Sequence, residues 1–186
     1  MKYVYCLTFA LLFLCNPMHA QTRRDKSISS IHQYMAQIET YIEDMEKNLL
    51  PAGMNDSDPR VVKQRAESDS IYPLRKKIIL ISQEIKPPLA LPERAREYYV
   101  KGVTLLEDPA TKEYNDVIGD LEAANSIAPW WTDDYKQLGK VYEIIRDYKS
   151  AIESFQLYLL SNPEAKEARD VQDEIYIIEA KMKAKE

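Results

Sequence analysis

The chain contains very little of what most catalytic and metal sites require. Its 186 residues include two cysteines, two histidines and four glycines. Both cysteines and one histidine lie within the first 20 positions, which leaves His32 as the one residue of these two types in the remainder. Zinc sites are built mainly from cysteine and histidine, and glycines this far apart do not form a phosphate-binding loop. The sequence therefore predicts no zinc site, no nucleotide-binding loop and no cofactor.

An enzyme site is equally hard to assemble from the remaining residues. A nucleophilic triad needs a base beside a serine or cysteine, and His32 falls on a predicted long helix without a glycine elbow nearby. Asp56 and Asp58 could touch calcium, but their loop lacks the ligand spacing of an EF-hand. Acidic residues on charged helices are usually solvated, which leaves a carboxylate-pair hydrolase as the one enzymatic alternative. We expect no catalytic residue, no metal and no enzymatic activity.

The charge balance and the hydrophobic periodicity narrow the class further. The formal net charge is −5 and no extended basic stripe is present, so we expect no binding to nucleic acid. A short basic cluster at Arg23, Arg24 and Lys26 is typical of a solvated tail. Apolar residues recur at helical spacing, and no segment has the alternation of a strand. The sequence predicts an all-α protein.

Residues 1–20 have the layout of a secretory signal peptide. Lys2 supplies a positive start, residues 4–14 form an apolar core, and Pro17 is expected to break the helix before a cleavage site preceding Gln21. The apolar run is shorter than the about 18–20 residues that a bilayer requires. We therefore expect cleaved export, with no stable membrane insertion after cleavage.

Two further observations concern the exported location. Cys15 ends the apolar core, which keeps a bacterial lipoprotein as an alternative, although Leu14 occupies a position where such signals normally carry a small residue. The short signal ending in Ala–Gln resembles those of Gram-negative exported proteins. We expect a periplasmic or secreted protein and favour the periplasm; the cell surface and a eukaryotic secretory lumen remain alternatives.

Residues 21–90 are predicted to form a heptad-patterned antiparallel helical hairpin. The first helix has apolar residues at steps of three and four, namely Ile28, Ile31, Met35, Ile38, Ile42, Met45 and Leu49. Asp58 is placed to cap the second helix with Pro59 at its first position, and Pro73 is expected to kink or restart it. The second stripe consists of Ile71, Leu74, Ile78, Ile81 and Ile85, widened by Ile79 and Leu80.

The two stripes have two interpretations. They form an intramolecular core, or the first stripe, from Ile28 to Leu49, pairs with a second copy of the chain and makes a homodimer. Light scattering after size exclusion distinguishes them, because a monomer at micromolar concentration excludes the dimer as the working state.

Residues 132–165 carry the most specific pattern in the chain. The residues that form it are Tyr135, Leu138, Gly139, Tyr142, Ala151, Phe155 and Pro163. Their spacing resembles the tetratricopeptide repeat family, with an aromatic-x2-L-G-x2-Y helix, an A-x3-F helix and a closing proline. Thr132 is placed to cap the first helix, and Gly139 leaves room for the second helix to approach. Ser161 or Asn162, followed by Pro163, is placed to cap the next helix.

A second, degenerate repeat is predicted at about residues 92–131. The residues that fit it are Tyr98, Gly102 and Leu105 in a first helix, and Val117, Leu121, Ala124 and Pro129 in a second. Pro129 precedes Pro163 by 34 residues, which is the period of the family. The interval from Gly102 to Val117 is three residues longer than the family pattern. We expect the surplus in the loop around Asp108–Pro109.

The last segment is predicted to be a helix from about residue 164 to residue 183 that caps the end of the stack. Its apolar stripe is Ala168, Val171, Ile175, Ile178 and Met182. Acidic residues are expected to leave the opposite face polar, namely Asp170, Asp173, Glu174 and Glu179.

The resemblance to tetratricopeptide repeats covers about residues 92–183 and implies a short α-solenoid that holds another polypeptide in a concave groove. It implies a non-catalytic interaction module. In this family the first helix of each pair lines the groove, so Lys136, Gln137 and Lys140 are the candidate binding residues for an acidic partner. Trp130 and Trp131 either fill the gap between adjacent hairpins or form a hydrophobic rim for a ligand. The alternative functions are a structural homo-oligomer assembled through the N-terminal hairpin and a carboxylate-based enzyme.

Overall fold

The computed structural model describes residues 4–51, 54–55, 57–108, 110 and 114–184, with side chains from residue 19 onward. Within these residues every regular element is a helix, and no strand occurs, so the predicted all-α class is confirmed. The helices are α1 Val4–Lys47, α2 Pro59–Glu84, α3 Glu93–Glu107, α4 Asn115–Ile127, α5 Asp133–Ile144, α6 Tyr148–Ser161 and α7 Ala168–Lys183. None of the helices, where described, combines the length and apolar character that a membrane span needs.

Two prolines that were expected to interrupt helices do not. α1 continues through position 17, and α2 continues through Pro73. A proline inside a helix removes one N–H donor and leaves the carbonyl four residues earlier without its partner. For Pro73 that carbonyl belongs to Asp69, an exposed residue, so water can hydrate it. The predicted helix break at Pro17 and the predicted restart at Pro73 were therefore wrong.

The start of α2 follows the sequence signal. The Asp58 carboxylate accepts a hydrogen bond of 2.9 Å from the Arg60 backbone N–H and pairs with its guanidinium at 3.0 Å. Pro59 stands at the start of the helix. These hydrogen bonds hold the pKa of Asp58 below its ordinary value. Asp58 is therefore a helix cap, while Asp56, its partner in the calcium interpretation, lies outside the described residues.

α1 and α2 form an antiparallel hairpin within one chain. Arg23 near the middle of α1 pairs with Glu84 at the end of α2 at 3.0 Å, and Lys63 near the start of α2 pairs with Asp44 near the end of α1. The buried core between them consists of Ile31, Ile38, Leu74, Ile78 and Ile85. The predicted stripes thus form an intramolecular core, but the last residue of the first stripe, Leu49, is 81% exposed.

The hairpin packs against the C-terminal half through α2 and α6. The Tyr72 hydroxyl donates to the Gln156 side chain at 2.9 Å, and the Gln83 amide donates to the Leu160 carbonyl at 3.2 Å. Ile79 is fully buried in the core of the C-terminal half, as its place beside the α2 stripe predicted. Leu80, which was expected to widen the same stripe, is 43% exposed.

α5 and α6 are joined by a tight turn at Ile145, Arg146 and Asp147. Arg146 adopts a positive φ of 65°. Its N–H donates to the Glu143 carbonyl at 3.0 Å, and the Asp147 N–H donates to the Tyr142 carbonyl at 2.9 Å. This pair of hydrogen bonds is the Schellman arrangement that ends many helices. The Asp147 carboxylate then caps α6 by accepting from the Ser150 N–H.

The structure corrects the predicted caps around α6 and α7. α6 ends at Ser161, Asn162 is its C-terminal cap, Pro163 lies in a turn, and α7 begins at Ala168 rather than near residue 164. The Asn162 amide donates to the Thr132 hydroxyl at 2.7 Å, and the Thr132 and Ser161 hydroxyls share a hydrogen bond. Thr132 therefore precedes α5 as predicted but makes no capping bond to it, because its hydroxyl ties the start of α5 to the end of α6.

α7 buries Val171, Ile175 and Ile178, which form the central part of the predicted stripe. Met182, predicted as the end of that stripe, is 40% exposed, because it lies in the last turn of α7. The outer face is not uniformly polar, since Tyr176 is also exposed.

Candidate functional site

The helix α5 carries the three candidate binding residues, Lys136, Gln137 and Lys140, and they are not equally accessible to solvent. Lys140 is exposed, whereas Lys136 and Gln137 are half-buried. The Lys136 ammonium lies 5.3 Å from the centroid of the Tyr158 ring on α6, within the range of a cation–π contact. The Gln137 side chain hydrogen-bonds to the Tyr99 hydroxyl on α3. Two of the three residues therefore already contact neighbouring helices.

The two tryptophans contact different parts of the molecule. The Trp131 ring lies edge-on to Tyr99 of α3, with 4.5 Å between the ring centroids. Trp130 packs against the core of the N-terminal hairpin, and its indole N–H is buried without an acceptor among the described residues. Together they border a small cavity of about 180 Å³ near Pro88 and Leu89. Both rings therefore contact neighbouring helices.

The residues of the repeat pattern meet in one core. Tyr135, Leu138, Ala151 and Phe155 are buried in one cluster, with Tyr142 packed at its edge. A Cβ atom added to Gly139 would lie 2.4 Å from the Phe155 ring, so this glycine is required by the close approach of α5 and α6. The exception among the pattern residues is Pro163, which is exposed and starts no helix.

A buried polar centre lies next to this core, and the sequence did not predict it. Asp134 is fully buried. The Asn125 amide donates to its carboxylate at 3.2 Å, and the Tyr135 hydroxyl donates to the Asn125 side-chain oxygen at 2.9 Å. The Arg75 guanidinium lies 5.9 Å from the Tyr135 ring centroid. The sequence did not indicate that Asp134 is buried and Asp133 exposed, because both are expected to be solvated in the first turn of a helix.

Burial raises the pKa of Asp134 well above its ordinary value, while the hydrogen bond from Asn125 and the charge of Arg75 oppose that increase. One carboxylate oxygen of Asp134 has no hydrogen-bond partner among the described residues. Both observations favour the protonated, uncharged carboxyl in the folded protein.

We expect Asp134→Asn to become more stable than the unaltered chain as the pH rises above about 4. The pKa of Asp134 is higher in the folded chain than in the unfolded chain. The stability that the protonated carboxyl gives to the unaltered protein is therefore fully present below the unfolded pKa and is lost as the pH rises through the folded pKa. Between the two pKa values, the difference in unfolding free energy between the variant and the unaltered chain should change by about 1.4 kcal/mol per pH unit. Urea unfolding of both proteins across this pH range measures it. The matched variant is Asp133→Asn, at an exposed neighbour, and equal slopes for the two variants would contradict the prediction.

A groove of about 700 Å³ lies between the N-terminal hairpin and the helices α4 and α6. Apolar and acidic side chains line it, with Arg75 as a basic residue inside. We refer to it as the interhelical groove. The sequence did not predict it, because it arises from the way in which α2 packs on α6, and no local pattern encodes that packing.

Among the described residues, no cluster of three or more histidines, cysteines, aspartates or glutamates is arranged to hold a metal ion. The candidate features are therefore a basic face on α5 and the acidic interhelical groove. Comparison with protein-family models, with curated proteins and with solved structures gives no match for this chain.

Proposed function

We propose that the chain is an exported, non-catalytic interaction module of the tetratricopeptide type that binds another polypeptide. The observation that supports this proposal is that two successive helical hairpins pack in the same way, with a glycine of the first helix against a large side chain of the second. Gly139 of α5 faces Phe155 of α6, and Gly102 of α3 faces Leu121 of α4 at 2.9 Å from an added Cβ atom. Leu121 and Phe155 are 34 residues apart, the period of the family.

The extra length of the first hairpin is consistent with this proposal. α3 ends at Glu107 and α4 begins at Asn115, whereas α5 ends at Ile144 and α6 begins at Tyr148. The surplus residues thus fall in a connection between helices, where insertions are tolerated. Contacts of α4 with α5 and of α6 with α7 join the units into one stack, as neighbouring repeats require.

Export is also part of the proposal and rests on the N-terminal sequence. The described contacts that hold α1 to the rest of the fold include the ion pair of Arg23 with Glu84 and the core residues Ile31 and Ile38. All of them lie beyond residue 20, so cleavage before Gln21 would preserve them. N-terminal sequencing of the protein from the envelope fraction of its native cells tests the cleavage.

The proposed contact surface for the partner is the face of α5 that carries Lys136 and Lys140. The two lysines are one turn apart and point to the same side of the helix. Lys140 is exposed and Lys136 is partly accessible beside Tyr158. This surface fits an acidic partner, which a pull-down from the envelope fraction with the tagged protein would identify.

We expect Lys136→Glu combined with Lys140→Glu to weaken binding of the captured partner by about tenfold or more, because charge reversal replaces attraction with repulsion. Helicity by circular dichroism should be unchanged. The melting temperature should fall only slightly, since the Lys136 contact with Tyr158 is of the order of 0.5–1 kcal/mol. Titration calorimetry with the purified partner measures the affinity.

The matched control is Lys76→Glu combined with Arg96→Glu, which makes the same change in charge at exposed positions on α2 and α3. This control should retain the original affinity. If the affinity survives reversal at Lys136 and Lys140, or falls equally in the control, the binding face lies elsewhere.

A further inference from the structure

The interhelical groove has one wall with a regular apolar stripe. Met35, Ile38, Ile42 and Met45 of α1 line it at steps of three, four and three residues. At 1.5 Å per residue these positions span about 15 Å of helix, or nearly three turns. Ile38 is buried, whereas Met35, Ile42 and Met45 are half-buried. The stripe of α1 is therefore only partly covered by α2, and its remaining surface faces the groove.

Other segments add apolar and aromatic side chains to the lining of the groove. They are Ile71 and Tyr72 of α2, Ile127 of α4, Pro129 after α4, Tyr142 of α5 and Leu157 of α6, of which Pro129 and Leu157 are buried. Their arrangement around a half-open space of about 700 Å³ resembles the grooves into which amphipathic helices lay their apolar faces. Methionine suits such a surface because its unbranched side chain adapts to different apolar partners.

The rim of the groove is acidic on both sides. The glutamates that line it are Glu39, Glu43 and Glu46 on α1, Glu122 on α4 and Glu153 on α6. Glu43 pairs with Lys47 at 3.0 Å, and Glu122 accepts a hydrogen bond from the Tyr142 hydroxyl at 2.6 Å. Glu39 and Glu46 are exposed and lie seven residues apart, so they share one side of α1.

Arg75 balances only part of this negative charge. It lies inside the groove, near the Tyr135 ring, and its charge acts on the buried Asp134 and on Glu153. Lys47 also pairs with Glu43, and Lys149 lies 4.0 Å from Glu153. The net negative charge of the lining therefore comes from Glu39, Glu46 and Glu122. This balance disfavours an acidic or phosphorylated ligand and favours a cationic one, because like charges brought together at an interface repel each other.

We propose that the interhelical groove binds a basic amphipathic helix of another polypeptide. Its apolar face contacts Met35, Ile42 and Met45, and its lysines or arginines reach Glu39 and Glu46. Neither Lys136 nor Lys140 lines this groove, and the groove takes a partner of the opposite charge. It therefore goes beyond the function proposed above and does not depend on it.

The test uses two labelled peptides of about five helical turns, one made of leucine and lysine in an amphipathic pattern and one with glutamate in place of lysine. Fluorescence anisotropy with the purified protein at about 0.15 M salt should show saturable 1:1 binding of the lysine peptide and none of the glutamate peptide. Glu39→Lys combined with Glu46→Lys should weaken that binding by about tenfold.

Two further variants separate the groove from general charge attraction. Asp173→Lys combined with Glu179→Lys makes the same change in charge at exposed positions on α7 and should leave the affinity unchanged. Met45→Gln removes an apolar contact at a position that lines the groove and lies outside the buried hairpin core. It should weaken binding by about threefold or more while the circular dichroism spectrum stays the same.

Three results would overturn the proposal. One is the absence of saturable binding by the lysine peptide. Another is an equal loss of affinity in the α7 control, which would mean that the acidic protein attracts the peptide nonspecifically. The third is a dimer in light scattering that dissociates in the Met45→Gln variant, because a second copy would then occupy the groove. None of these results changes the expectation for Lys136 and Lys140.

Discussion

Replacing Gly139 with leucine is expected to lower the free energy of unfolding by about 2–4 kcal/mol. An added Cβ atom alone would lie between 2.4 and 2.8 Å from three atoms of the Phe155 ring. That ring is only 1% exposed and packed within the main core, so it cannot move aside without displacing its neighbours. For a chain of this size the melting temperature should fall by roughly 5–15 °C, which thermal unfolding followed by circular dichroism measures.

The chain provides a matched control for this experiment. Gly119 lies inside α4, is exposed, and an added Cβ atom there meets nothing within 4 Å. Gly119→Ala should stabilise the protein by about 0.5–1 kcal/mol, because alanine loses less backbone entropy in a helix. Gly139→Ala should destabilise it despite the same gain in helix propensity. Equal effects of the two alanine substitutions would show that α5 and α6 do not approach each other as closely as described.

Much of the fold could be predicted because it depends on local chemistry. Asp58 and Pro59 mark the start of α2, and the structure shows the cap hydrogen bond. The apolar spacing of α2 predicts both its hairpin core and the inward position of Ile79. Gly139 follows from the need for close helix approach. In each case a few neighbouring residues decide the outcome.

The failed predictions concern places where distant residues compete with a local signal. Asn162 followed by Pro163 is a pattern typical of a helix N-terminus. In the structure the Asn162 side-chain amide instead donates to the Thr132 hydroxyl, some 30 residues away. Pro73 stays inside α2, and the exposed carbonyl that it frees can be hydrated. In the same way, Lys136 lies over the Tyr158 ring and Gln137 lies beside Tyr99. These contacts reduce the accessible surface of the predicted binding residues.

Replacing Trp130 with alanine is expected to lower the free energy of unfolding by about 3 kcal/mol, the lower end of the range for large aromatic residues because Trp130 is only partly buried. The indole packs on the core of the N-terminal hairpin while its backbone belongs to the connection between α4 and α5. Its removal should therefore also loosen the contact between the two halves. Urea unfolding should give the loss in stability, and faster amide exchange in α2 should reveal the loosening.

Two companion variants determine whether Trp130 is a packing residue or a binding residue. Trp130→Phe keeps an aromatic ring and removes the buried indole N–H that has no acceptor among the described residues. It should cost less than about 1 kcal/mol, since removing an unsatisfied donor offsets part of the lost contact. Trp131→Ala removes the edge-on contact with Tyr99 and should cost about 1–2 kcal/mol. Full stability of Trp130→Ala together with lost partner binding would instead make Trp130 part of a ligand rim, because packing residues cannot be removed without a loss in unfolding free energy.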